Sequence, residues 1–171
     1  MKKAKRTTSN IELRTPNAEY RVLEEAEGNG WQLRDGNSGG KKYDLEERLL
    51  EFASAIIDLS EKLPSSRAGN HVAGQILRSG TSPYPNHGEA ESAESRDDFI
   101  HKIKVCLKEL RETRRWARLI HRKRWAHEDP TLLFILGESE ELIRIFMSSI
   151  RTARLNALKS QRGTMVNTPA L

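Results

Sequence analysis

At 171 residues with one cysteine, the chain suits a single domain with tails, and it can form neither an intrachain disulfide nor a multi-cysteine metal site. Its longest strongly apolar run, LLFIL at 132–136, is far too short to cross a bilayer, and no apolar segment follows the basic start MKKAKRTTSN. A cytoplasmic protein without membrane contact is therefore expected. The net charge of +5 is local, because HKIKVCLKELRETRRWARLIHRKR (101–124) holds ten Lys or Arg against two acids, which leaves the rest of the chain net acidic. A localised cationic field implies an anionic partner and says little about fold.

In chain order, residues 1–42 mix Thr, Ser, Asn, Gly and charges, and GNGWQLRDGNSGGKK (28–42) reads as a flexible linker with no strand pattern. Within that extension NIELR and YRVLEEA are short candidates for local order, and Trp31 is the only large aromatic there that could dock. Leu45, Leu49, Phe52, Ile56, Leu59 and Leu63 then step by fours and threes, a helical seam ended by Pro64. Residues 66–94 carry Val72, Ile76 and Leu77 at helical spacing, against Gly69, Gly74, Gly80, Pro83 and Pro85. They read as a helix kinked near Ser82 to Pro85. A third helix is predicted from Ser95 to about Trp125, with Phe99, Ile103, Cys106, Leu110, Thr113, Ala117 and Ile120 inward. Cys106 on that seam reads as a small buried hydrophobe, with no activating neighbour on the same face. Asp129-Pro130 is an N-cap followed by proline at the first helical position. Leu136, Ser139, Ile143, Phe146, Ile150, Ala153 and Ala157 form the last seam, after which 159–171 read as a fraying tail. Four helices on short connections predict an all-α, antiparallel up-down four-helix bundle over 43–158.

At 100° per residue, Lys104, Lys108, Arg111, Arg115, Arg118 and Arg122 fall within about 80° of one another, opposite the Phe99/Ile103/Leu110 face. They make one cationic stripe about 27 Å long. A solvated helix face normally mixes signs, because like charges at i, i+4 repel by a few tenths of a kcal/mol. Three explanations compete: phosphate contact with RNA or DNA, simple solvation, and pairing with another subunit. The last is suggested by Asp44, Glu47, Glu51, Asp58 and Glu61, an acidic stripe opposite the first helix's apolar seam. Such pairing would set register more than affinity.

Candidate chemistry is sparse. Asp98-x-x-His101 has no second copy, so a di-metal carboxylate bundle is incomplete. Glu91, Glu94 and Asp98 read as an acidic helix start that suits the helix dipole, ahead of a Mg²⁺ site for hydrolysis. No Gly-rich phosphate loop or nucleophile elbow occurs, and no cofactor is expected. Trp116 and Trp125 near the basic residues are candidates for base stacking, or more simply for the bundle edge.

YDLEERLLEFASAIIDLSEKLP and QILRSGTSPYPNHGEAESAESRDDFIHKIKVCLKELRETRRWARLI resemble the bacterial four-helix bundle proteins, also called ribosomal-RNA intervening-sequence proteins, over about residues 43–155. The most specific part is Gln75-x-x-Arg78, then Asn86-x-x-Glu89, then the Ser95–Leu110 helix. The Pro83/Pro85 pair departs from the smoother second helix of that family. The resemblance implies a homopentameric ring without catalytic residues, and some similar proteins are accessory subunits of retroelements that associate with a reverse transcriptase and nucleic acid. It also implies that Gln75, Arg78, Asn86 and Glu89 form a structural polar network within or between subunits. The expected function is a non-enzymatic homo-oligomeric bundle that binds RNA or DNA backbone through the helix-3 stripe. The rival is an interaction protein whose basic and acidic stripes meet between subunits, and a metal-dependent hydrolase comes last.

Overall fold

A computed structural model describes residues 20–24, 31–35, 45–126 and 128–165, with side chains described over 45–126 and 128–157. The helices are α1 (Leu45–Glu61), α2 (Arg67–Thr81), α3 (Pro83–Glu91), α4 (Arg96–Arg122) and α5 (Pro130–Met165). Each starts or stops where the local chemistry requires. The Ser66 hydroxyl accepts from the Gly69 amide at 3.1 Å, and the Ser95 hydroxyl accepts from the Asp98 amide at 3.2 Å. Asp97 and Asp98 then favour the positive end of the α4 dipole. At the start of α5 the Asp129 carboxylate accepts from the Thr131 amide and from Lys62 Nζ, both at 2.8 Å, which ties that start to the end of α1.

α2 and α3 are one kinked helix, as expected. Ser82 keeps right-handed helical dihedrals (φ −60°, ψ −36°), while Pro83 and Pro85 can donate no amide hydrogens to the preceding turn. Asn86 repairs part of the break, its side-chain amide donating to the Ser82 carbonyl at 2.8 Å. Cys106 Sγ on α4 faces the Pro83 carbonyl at 3.6 Å.

The four resulting rods make an all-α bundle. α4 packs on α5 and on the α2–α3 rod, and α1 packs on those same two neighbours, so α1 and α4 lie across the diagonal. The core follows the seams read above on α1, α2 and α4, with Phe52, Ile56, Ile76, Phe99, Ile103, Leu110 and Ile120 removed from solvent. On α5 Phe146, Ile150 and Ala153 are buried as read, but Leu132, Ile135, Leu142 and Ile145 fill the core where Leu136 and Ile143 were expected, and those two are only partly buried. Gly80 lets α2 approach α1, where a Cβ would meet three carbons of Ile56. Thr113 and Ser79, both fully buried, satisfy each other at 3.0 Å.

Three boundaries differ from expectation. α4 ends at Arg122, three residues before the predicted Trp125, because Arg124 turns left-handed (φ 57°) and the Trp125 amide reaches back to the Ile120 carbonyl. Arginine stands where glycine usually signals that stop. α5 runs on to Met165, past the predicted end at 158, since Lys159, Ser160, Gln161 and Arg162 all tolerate a helix. The N-terminal extension carries a strand pair where no strand pattern was expected. β1 (Tyr20–Glu24) pairs antiparallel with β2 (Trp31–Asp35), Val22 opposite Leu33. The rest of 1–42, Asp44 and residues 166–171 lie outside the described residues, as does the side chain of Trp31.

Candidate nucleic-acid interface

α4 is long enough, at 27 residues, to carry the whole predicted stripe as one straight row. Lys104, Lys108, Arg111, Arg115, Arg118 and Arg122 are all exposed. Among the described residues, Lys104, Lys108, Arg115, Arg118 and Arg122 make no ion pair or hydrogen bond, and Arg111 meets only the sulfur of Met147, at 3.6 Å. Six other cations of the bundle are paired. Arg48 pairs with Glu138, Lys62 with Asp129, Arg78 with Glu109 and Glu112, Lys102 with Glu89, Arg114 with Glu140, and Arg144 with Glu140 and Glu141. The first five reach carboxylates on another segment and Arg144 reaches its own helix, whereas the outward row of α4, like Arg67, Lys123, Arg124, Arg151 and Arg154, has no ion pair among the described residues.

Glu47, Glu51, Asp58 and Glu61 are likewise exposed on α1. Glu47, Glu51 and Asp58 rim a shallow groove between α1 and α5, floored by Leu50 and Phe134, each about two-fifths exposed. Because α5 lies between the diagonal helices α1 and α4, the acidic and basic rows cannot reach each other within one chain.

Gln75, Arg78, Asn86 and Glu89 are not brought together. Arg78 spans to α4, reaching Glu109 at 3.3 Å and also Glu112, and the Glu112 carboxylate accepts from Trp116 Nε1 at 3.4 Å. Burial opposes ionisation of Glu112, but the bonds from Trp116 and Arg78 outweigh it and hold its carboxyl below the ordinary range. Asn86 bonds Ser82, and Glu89 takes Lys102 from α4, which raises the lysine above its usual value. Gln75 has no hydrogen bond among the described residues. The partners Glu109, Glu112 and Lys102 carry no signal in a single helix, since an α2–α4 pairing must be known first. They make these groups braces between rods.

Trp116 turns away from the stripe, edge-on to His71 at 6.1 Å, and packs with Trp125 against the core. Among the described residues no group of three His, Cys, Asp or Glu could hold a metal ion, and no helix is long and apolar enough to cross a membrane. Burial pushes the Cys106 thiol up to about 12.

Residues 41–147, which take in most of the bundle and the whole cationic row, match the model of the 23S rRNA-intervening sequence protein family. The chain belongs to that family. Among solved structures, the chain is similar to a protein of unknown function from the S23 ribosomal protein family of Bacteroides thetaiotaomicron. The two are 37% identical, with a TM-score of 0.55, over 60% of this chain and 94% of that one. No curated protein matches the chain.

Proposed function

We propose that this protein is a non-enzymatic bundle that binds the phosphate backbone of RNA or DNA through the outward row of α4. The observation that carries the reading is the alignment of six exposed cations, five without an ion pair or hydrogen bond among the described residues and with only a through-space influence of Lys108 on Glu112, on a molecule that pairs Arg48, Lys62, Arg78, Lys102, Arg114 and Arg144 with carboxylates. Uncompensated like charges along one helix repel. Phosphates relieve that repulsion and release counterions, so affinity should be salt-dependent and largely independent of sequence. If all six residues meet phosphates of a duplex, log K falls against log salt with a slope near −5, at about −0.9 per phosphate.

The test is fluorescence anisotropy with labelled RNA and DNA across a salt series, on the wild type and on Lys108→Glu, Arg111→Glu, Arg115→Glu, Arg118→Glu combined. Binding should be abolished in the variant. Unchanged affinity would sink the reading.

A second reading rests on the groove beside α1. Exposed Leu50 and Phe134, rimmed by Glu47, Glu51 and Asp58, complement the exposed cations of α4 and the half-exposed Met147 beside Arg111. A head-to-tail contact that uses two different surfaces of each copy closes into a ring when its rotation allows. Light scattering on the same variant separates the readings, since subunit pairing requires the mass to fall and phosphate contact does not.

A further inference from the structure

The α4 row does not stand alone at one end of the bundle. α4 and α5 run antiparallel, with Arg111 against Met147 and Arg114 against Glu140. At 1.5 Å per residue on both helices, this brings Arg151 level with the stretch from about 103 to 107, between Lys104 and Lys108, and Arg154 level, to within about a turn, with Lys104. Met147, Arg151 and Arg154 are spaced i, i+4, i+7, so the face of α5 that meets Arg111 continues into both arginines. Both are exposed and neither has an ion pair among the described residues. Toward the other end the same edge of α5 carries Glu140, paired with Arg114 and Arg144, so the second cationic row stops there.

The result is a seam with cations on both banks over half its length. Packed helix axes lie about 8–10 Å apart, and long side chains on both can reach across a groove of that width. A single nucleic-acid strand offers one row of phosphates. A double helix offers two rows flanking a groove, narrow in the minor groove of B-form DNA and in the major groove of A-form RNA. Proteins that prefer single strands also supply aromatic platforms for the bases. Here Trp116 faces α2 and bonds Glu112, Trp125 packs on the core, and the exposed Phe134 lies among the α1 acids. No exposed aromatic side chain among the described residues stands on the seam.

We propose that the α4–α5 seam grips both strands of a double helix, with Lys104, Lys108 and Arg111 on one and Arg151 and Arg154 on the other. This rests on the α4 reading above and adds the class of ligand and a second helix to it.

The experiment uses the full-length protein with labelled duplex RNA, duplex DNA and the corresponding single strand, each about two helical turns long, on wild type, Arg151→Glu/Arg154→Glu and Arg151→Lys/Arg154→Lys. Circular dichroism and light scattering establish that the variants keep their fold and mass. One or both duplexes should bind at least roughly tenfold tighter than the single strand, and the tighter duplex identifies the double helix concerned. The glutamate variant should lose roughly tenfold or more in duplex affinity, with a salt slope shallower by about 2, and the lysine variant should retain it. A single strand bound as tightly as both duplexes overturns the proposal. Duplex binding lost in the α4 quadruple variant but unchanged in Arg151→Glu/Arg154→Glu overturns the two-helix grip and leaves the α4 reading standing, whereas no binding to any of the three ligands overturns both.

Discussion

Gly80→Ala tests the α1–α2 crossing most directly, because helix propensity and packing disagree on its sign. An added Cβ would sit 2.6 Å from Ile56 Cγ1 and 2.7 Å from both Cδ1 and Cγ2. Unstrained carbon contacts are about 3.5–4.0 Å. Ile56 is fully buried and cannot swing clear, so the two helices must separate. Propensity alone favours alanine by about 1 kcal/mol. Overpacking a well-filled core costs about 1–3 kcal/mol, occasionally more, and three simultaneous overlaps place this site at the upper end. The expected net effect is a loss of about 2 kcal/mol. Gly74 and Gly88 lie on the same kinked rod, but a Cβ there meets nothing within 4 Å. Alanine at either should therefore stabilise by about 0.5–1 kcal/mol. Urea unfolding followed by circular dichroism, at one fixed protein concentration, should lower the midpoint for Gly80→Ala and raise it for Gly74→Ala. In an Ile56→Ala background, Gly80→Ala should become neutral or favourable, because the overlapped carbons are gone. A midpoint that rises with Gly80→Ala in the wild-type background would refute the close approach.

Two further outcomes follow from buried or bonded groups. The bonds from Lys62 and Thr131 hold the Asp129 carboxyl down to about 2, so its contribution is complete above the ordinary carboxylate range and disappears as pH falls through that value. Asp129→Ala should cost about 1 kcal/mol at neutral pH, as for other lost N-caps, and the gap to wild type should close by about pH 2; a gap that widens on acidification contradicts the assignment. Cys106, buried and with its thiol pushed up to about 12, should resist a thiol reagent at mildly alkaline pH in the native protein and react once urea unfolds it. Fast labelling of the folded protein would show that the α3–α4 contact opens.

The bundle was legible in the sequence because apolar periodicity is a property of one helix at a time. The spacing from Leu45 to Leu63, or from Phe99 to Ile120, states which side of a rod must leave water, whatever covers it. The exposure of Lys104 through Arg122 follows from the same wheel, since a row opposite a buried seam has nowhere else to point. The cap at Asp129 was readable for a similar reason, as a carboxylate satisfies an amide only two residues away. The stop at Arg122 was hidden, because Arg124 adopts the left-handed geometry without the usual glycine. The strand pair in the extension was missed because five-residue alternations in YRVLE and WQLRD are weak signals beside Gly-rich surroundings.

Tertiary structure alone decided everything that depends on which rods are neighbours. No helical wheel says that α1 and α4 occupy opposite corners, that Arg78 meets Glu109 and Glu112, or that Arg151 and Arg154 come level with Lys104. Those relations join residues about 30 to 50 positions apart, through the order of helices around the core and the register of their ridges. A single helix determines its own inside and outside by hydrophobicity, but the partner of each outside face is set only when four such helices have packed.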